Sequence, residues 1–267
     1  MNEFTDKTLL VEKKDSIGFL TINYPEKRNA LTPELLEDVH KTLEVFSKND
    51  DVRCVVIKGS GDKVFSSGYD IGAIPVASSV SDTGQKTPDI LLQAFDSIKN
   101  FPYPTIAMLN GHAFGAGFNL SACCDIRIAA DDIKLGMTPA RLGVAYHPKG
   151  IQQFITAFGI ARTKEIFYTA NTFQGKELLQ KGLVDYMIPK SDLEEFTHAY
   201  ARKITLNAPL SLKGIKKIIT LFENNMALNQ KNLDQADQLI QKCFQSDDLK
   251  EGQAAFLEKR TPNFIGK

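Results

Sequence analysis

Residues 110–125 read Asn110-Gly111-His112-Ala113-Phe114-Gly115-Ala116-Gly117-Phe118-Asn119-Leu120-Ser121-Ala122-Cys123-Cys124-Asp125, directly after the apolar run 104–109. The pattern predicts a strand, a small-residue turn and a buried helix. Glycine permits positive φ and close approach to backbone, and the side chains that follow are too apolar for a surface helix. The unpaired N–H groups and the dipole at such a helix start favour negative charge, so the chemistry on offer is stabilisation of an anion. A dinucleotide fingerprint is excluded: it requires a third glycine three residues past the second, and Gly117 is followed by Phe118-Asn119-Leu120. Taken alone, a glycine cluster before a helix is more often a packing device than a site.

The elements that must position this turn follow from hydrophobic period and punctuation. Residues 9–11 and 17–24 predict two short strands around a polar turn at 13–16, the pattern of a hairpin. Thr32 is placed to cap a helix, Pro33 suits its first position, and Leu35, Leu36, Val39, Leu43 and Phe46 recur at helical spacing. A strand is expected over 52–58, a turn over 59–63, and an apolar segment broken by glycine over 64–71. Strand, helix, strand implies a largely parallel sheet. Residues 77–87 read as a long loop, 90–98 as a helix and 126–130 as another strand. The passage 136–150 reads as irregular. From residue 151 helical patterns dominate, near 193–206, 211–222 and 233–244, with a short strand near 184–188. One more helix in the tail is expected to stop at Pro262.

With 43% hydrophobic residues among 267, the chain has material for a substantial core. Lys+Arg 32 against Asp+Glu 32 leaves no net charge, which removes the electrostatic argument for nucleic acid or an anionic membrane as partner. Cys54, Cys123, Cys124 and Cys243 lack metal-ligand spacing, so they are expected to be reduced thiols of a cytoplasmic protein, with no metal bound. The acidic first residues and the absence of a following apolar run support neither a signal peptide nor a membrane span.

Three passages, by their order and spacing, resemble the crotonase superfamily, the enoyl-CoA hydratase/isomerase family: Lys27-Arg28-Asn29-Ala30-Leu31, Phe65-Ser66-Ser67-Gly68-Tyr69-Asp70-Ile71, and the stretch 111–125. The tail Phe256-Leu257-Glu258-Lys259-Arg260-Thr261-Pro262-Asn263-Phe264 is similar to that family's C-terminal signature. The resemblance implies an α/β fold, a crotonase-type spiral of ββα units over 1–200 with a C-terminal helical trimerisation region over 201–267. It implies a homotrimer or dimer of trimers, an acyl-CoA thioester as partner, and no cofactor beyond the coenzyme A carried by the substrate. It assigns the backbone N–H groups of Tyr69 and Ala116 to an oxyanion hole for the thioester oxygen, with Gly117 shaping the turn. For coenzyme A it points to Lys27, Arg28, Ala30, Ile71 and Lys259, with Phe256 reaching in from a neighbouring subunit; a single surface Lys or Arg is otherwise more often merely solvated.

The chain departs from the family's hydratases where they hold water with two glutamates, which here become Asn119 and Pro139. Neither exchanges a proton as a carboxyl does, and no carboxylate occurs in 108–124 or 135–162 to replace them. Losing carbon dioxide from a malonyl-type thioester needs the same enolate-stabilising amides and no general base. A pocket of Asn119, Thr138, Pro139 and Gly117, free of carboxylates, does not repel such a substrate. The passage Met137-Thr138-Pro139-Ala140-Arg141-Leu142-Gly143-Val144-Ala145-Tyr146-His147 is similar to that of the family's methylmalonyl-CoA decarboxylase branch, with Tyr146 on its tyrosine. Tyr69 stands where that branch has histidine and Asn119 where it has glutamate. Two further readings stay open. In one, His147 shuttles a proton as in a double-bond isomerase or an atypical hydratase; in the other, the chain is a catalytically silent acyl-CoA-binding oligomer. Tyr146 and His147 are equally well read as ordinary hydrogen-bonding residues of a proline-containing loop, Asp70 and Asp125 as caps or turn contacts, and Arg141 as a partner for a substrate carboxylate or a surface ion pair.

Overall fold

The computed structural model describes residues 8–48, 50–69, 90–224 and 229–265. Asp70, Ile71 and the loop expected at 77–87 lie outside the described residues.

Strands β1 (Leu9–Lys14) and β2 (Ile17–Ile22) form an antiparallel hairpin. Its turn is tighter than the sequence suggested: Asp15 and Ser16 have φ of 50° and 61°, the two-residue geometry whose twist matches that of the strands. Helix α1 (Pro33–Ser47) follows; Thr32 Oγ1 accepts from Leu35 N at 3.3 Å, and Leu35, Leu36, Val39 and Leu43 are buried. Burying each such side chain contributes about 1.5–3 kcal/mol. Strands β3 (Cys54–Gly59) and β4 (Val64–Ser66) come next, then α2 (Ile90–Lys99), β5 (Thr105–Leu109), β6 (His112–Phe114), α3 (Ala116–Cys123), β7 (Ile126–Ala130), β8 (Lys134–Gly136), α4 (Pro148–Thr169), β9 (Thr172–Gln174), α5 (Lys176–Gln180), β10 (Tyr186–Ile188) and α6 (Leu193–Thr205).

Two sheets result. The larger runs β1-β2-β3-β5-β7-β10, parallel from β2 onward; the smaller runs β4-β6-β8-β9, parallel except for the last pair. Successive turns lay one strand in each sheet: β3 then β4, β5 then β6, β7 then β8. This is the spiral of ββα units that the resemblance implies. Every residue of β5 is buried, as for a strand covered on both faces. Two buried asparagines lock the turns. Asn29 Nδ2 donates to Ser60 O and Val64 O at 3.0 and 2.7 Å, and Asn110 Nδ2 donates to Gly59 O and Gly61 O at 2.8 and 2.7 Å.

The division expected at 200/201 falls inside α6, which packs on β2, β3, β5 and β7 and so belongs to the core. Beyond it stand α7 (Pro209–Asn224), α8 (Gln230–Phe244) and α9 (Asp247–Glu258). Lys216 anchors α7: its buried Nζ donates to Asp125 Oδ2 at 2.7 Å and to Tyr103 O at 2.9 Å. Helix α9 ends before Pro262. Lys259, at φ 55°, closes it with an N–H to Phe256 O, so a left-handed cap rather than the proline stops it. No helix among the described residues is long and apolar enough to cross a membrane.

Candidate active site

Two chain segments meet where β4 and β6 end. After Ser66 the backbone turns through Gly68, at φ 101°, whose amide donates to Ser66 Oγ at 3.2 Å. Gly68 O accepts from Leu31 N at 2.8 Å, and Leu31 bridges to Tyr69 in parallel. After Phe114, Gly115 takes φ 52°, ψ −123° and starts α3 without a side-chain cap. A Cβ added to Gly68 would lie 2.8 Å from Phe114 O and 3.2 Å from Ala116 N, so the Gly68-Tyr69 segment sits directly against the first turn of α3. One at Gly117 would meet Ser66 O at 2.6 Å, which explains the second small residue. All eight residues of α3 are buried, and the Ala116 amide is one of its first-turn donors without an intrahelical acceptor.

One turn along α3 stands Asn119, fully buried. Its Oδ1 accepts from Tyr146 Oη at 2.8 Å; its Nδ2 donates to Gln153 Oε1 at 2.7 Å and, at 3.5 Å, to Cys123 Sγ. Residues three apart on a helix share a face, and helical side chains lean toward the N-terminus, so this polar group lies on the Ala116 side of α3. Burial pushes the Cys123 thiol well up, which keeps it protonated. Pro139 is buried at the start of a 3-10 turn, Pro139–Leu142, with half-buried Thr138 before it and exposed Arg141 within it. Tyr146 also borders an open cavity of about 450 Å³ lined by Pro139, Ile151, Ile155 and Phe167 together with Leu239 and Ile240 of α8.

His147 has a different place. It is the N-cap of α4: its Nδ1 accepts from Lys149 N at 3.2 Å and Pro148 occupies the first helical position. The helix thus begins inside the passage expected to be irregular. Asp125 serves a turn, with Oδ2 accepting from Thr105 N and Oγ1 at 2.6 and 2.9 Å and from Lys216.

Lys27 and Arg28 are exposed beside the Gly68 segment: Ser67 N donates to Arg28 O at 3.0 Å, and Ala30 is buried below. Phe256 on α9 and Lys259 just past its end are exposed, and α9 packs on the 139–142 turn and on α8. Among the described residues no three His, Cys, Asp or Glu side chains converge to hold a metal ion.

The residue that sequence reasoning missed is Gln153. Gly150, Gln153, Phe154 and Ala157 follow helical spacing, which puts this glutamine on the buried face of α4; that spacing was the available signal.

Comparison with known proteins agrees with this architecture. Residues 12–267 match the family described as Enoyl-CoA hydratase/isomerase. The methylmalonyl-CoA decarboxylase of Escherichia coli K12 is 31% identical over 257 residues, covering 94% of this chain and 95% of the relative. The short-chain-enoyl-CoA hydratase of Clostridium acetobutylicum is 29% identical over 256 residues, covering 94% and 95%. A solved structure of methylmalonyl-CoA decarboxylase in complex with 2-nitronate-propionyl-CoA superposes with a TM-score of 0.89 at 30% identity, covering 98% of this chain and 99% of its own.

Proposed function

The chain belongs to the enoyl-CoA hydratase/isomerase family, whose relatives process acyl-CoA thioesters, and from that premise we propose that it decarboxylates a malonyl-type CoA ester. The observation that carries the reading is the amide at 119. Where a water-adding enzyme of the family needs two carboxylates, this chain has Asn119, fixed at both ends between Tyr146 and Gln153, and Pro139, buried at the start of the 139–142 turn. In the proposed reaction the bond from Cα to the carboxylate breaks and carbon dioxide leaves without the electron pair. The pair spreads into the thioester carbonyl as an enolate. Its oxygen takes hydrogen bonds from the amides of Tyr69 and Ala116, and a proton from solvent then adds to Cα. One such preorganised donor is worth about 10²–10³ in rate.

Lys27, Arg28, Ala30, Ile71 and Lys259 are proposed to hold the coenzyme A moiety, joined by Phe256 of a neighbouring copy. Assembly as a trimer, alone or paired, is supported by α7: Ile215, Ile218, Ile219 and Phe222 stand at helical spacing, each more than half exposed. A cytoplasmic setting is supported by free cysteines, three of them buried.

The test is mass spectrometry of purified protein with malonyl-, methylmalonyl- and enoyl-CoA esters. Loss of a carboxyl group from the malonyl esters is expected. Water addition or a shifted double bond instead would transfer the proton work to His147 or another group, and binding without reaction would make the chain an acyl-CoA-binding oligomer.

A further inference from the structure

Resting on the decarboxylase reading, we infer that Gln153 is a positioning residue that sets the direction of the Tyr146-Asn119-Gln153 hydrogen-bond chain, and that the chain reverses when a carboxylate-bearing thioester binds. In the direction found, Tyr146 Oη donates to Asn119 Oδ1 and Asn119 Nδ2 donates to Gln153 Oε1. The chain ends on Gln153 Nε2, an amide nitrogen that finds no partner among the described residues although Gln153 is only 2% exposed. Buried, unpaired N–H groups are rare, and unpaired carbonyls less so. This direction therefore leaves the more costly orphan.

It also aims the tyrosine the wrong way for an anion. A hydroxyl whose proton is given to Asn119 offers a ligand only lone pairs, and a carboxylate accepts but does not donate. Each amide exchanges its nitrogen and oxygen by a half-turn about its terminal bond, so the separations of 2.7 and 2.8 Å serve either direction. Reversed, Gln153 Nε2 donates to Asn119 Oδ1, Asn119 Nδ2 donates to Tyr146 Oη, and the tyrosine proton turns to the ligand carboxylate. The orphaned donor disappears and only a carbonyl is left over. The protonated Cys123 thiol, 3.5 Å from the Asn119 amide, is then placed to donate to its oxygen.

The site is shaped for such a chain. A Cβ at position 150 would lie 2.3 Å from Tyr146 Cε1 and 2.9 Å from Asn119 Oδ1, so Gly150 is what lets the tyrosine and the amide meet beneath α4.

The experiment is isothermal titration of the full chain with two non-reacting thioether analogues of an acyl-CoA, one ending in a carboxylate and one in the matching carboxamide. Gln153→Glu, when ionised, accepts only and locks the chain in the direction that denies Tyr146 to the ligand. It is expected to weaken the carboxylate analogue about tenfold or more, while the carboxamide stays within about twofold, the scale of one charge-assisted hydrogen bond. The loss should grow as pH rises and residue 153 ionises. In a Tyr146→Phe background the added effect of Gln153→Glu should vanish, whereas plain repulsion by the new charge would persist. Gln153→Met, uncharged, should shift the preference the same way by a smaller factor, so the question stays open to test if the glutamate variant does not fold. Equal weakening of both analogues, or an effect that survives in Tyr146→Phe, would overturn the inference and leave the decarboxylase reading standing. A wild-type protein that does not prefer the carboxylate analogue would overturn both.

Discussion

Helices α3 and α4 begin in opposite ways. The first turn of α4 is closed by its own chain, with His147 Nδ1 accepting from Lys149 N and Pro148 supplying no donor. The first turn of α3 follows a glycine with no cap, in a helix buried along its whole length. A helix start that satisfies its own donors has nothing to offer a ligand; one left uncapped beside a second strand end does. The strand-glycine-helix turn is not by itself decisive, for the chain builds it again at Gly175, φ 58°, ahead of the short α5, where only Leu178 is buried. Burial and the adjacent Gly68 segment set α3 apart.

Gly68→Ala should break this contrast most severely. The new methyl meets Phe114 O and Ala116 N at a backbone angle that alanine rarely adopts, prying the two amides apart. Turnover in the mass-spectrometric assay should fall about 10²–10³-fold, the worth of one oxyanion donor. Wild-type turnover would remove Tyr69 and Ala116 from the chemistry. Next in size, Tyr146→Phe takes the donor from Asn119 Oδ1. Turnover of a malonyl-type ester should fall about tenfold or more and the unfolding free energy by about 1 kcal/mol, read by kinetics and denaturant titration.

His147→Ala sharpens the contrast from the other side. Loss of a cap should cost about 1 kcal/mol of stability with turnover changed less than about twofold, and His147→Asn, a good cap without an imidazole, should recover the stability. If the alanine variant were as stable as wild type but inactive, and asparagine failed to restore activity, His147 would be a proton carrier and the two helix starts would have exchanged roles.

How much of this was legible depended on whether the signal was local. Helix α1 announced itself through Thr32, Pro33 and four buried residues in period, and the structure returns it nearly residue for residue. Strands β6 and β9 and helix α5 run three to five residues, too short for a period to show. The start of α4 was hidden because histidine is not among the favoured caps. In the site, the glycine turn could be read from residue type, while the meeting of positions 119, 146 and 153 is a product of the spiral bringing α3 under α4. The family resemblance reached Asn119 and Tyr146. Gln153 stands beside Gln152, and two adjacent glutamines read as surface until the face of the helix is known. Asn29 and Asn110 were visible as letters within motifs, but their bonds join segments about 30 and 50 residues apart in sequence.

Helix α9 gives the comparison a third case, closed at both ends by its own side chains, and the smallest predicted effect. Ser246 Oγ accepts from Leu249 N at 3.2 Å, and at the other end Glu251 holds Arg260 and the amide of Asn263, at 2.6 and 2.7 Å. The Arg260 guanidinium foremost, then the Asn263 amide, holds the Glu251 carboxyl down at about 2, against an ordinary 4.5. A carboxyl whose folded pKa lies below its unfolded one contributes stability above the unfolded value and loses it as pH falls through the folded one. The clamp should therefore be intact above about pH 4.5 and open progressively toward pH 2. Because the clamp lies at the surface and joins α9 only to the residues after it, the effect belongs to the tail rather than to the fold. The Asn263 amide resonance should titrate with a midpoint near 2 and show no such step in Glu251→Gln. A midpoint near 4.5 would mean the clamp does not hold in solution, leaving α9 closed by a side chain only at Ser246.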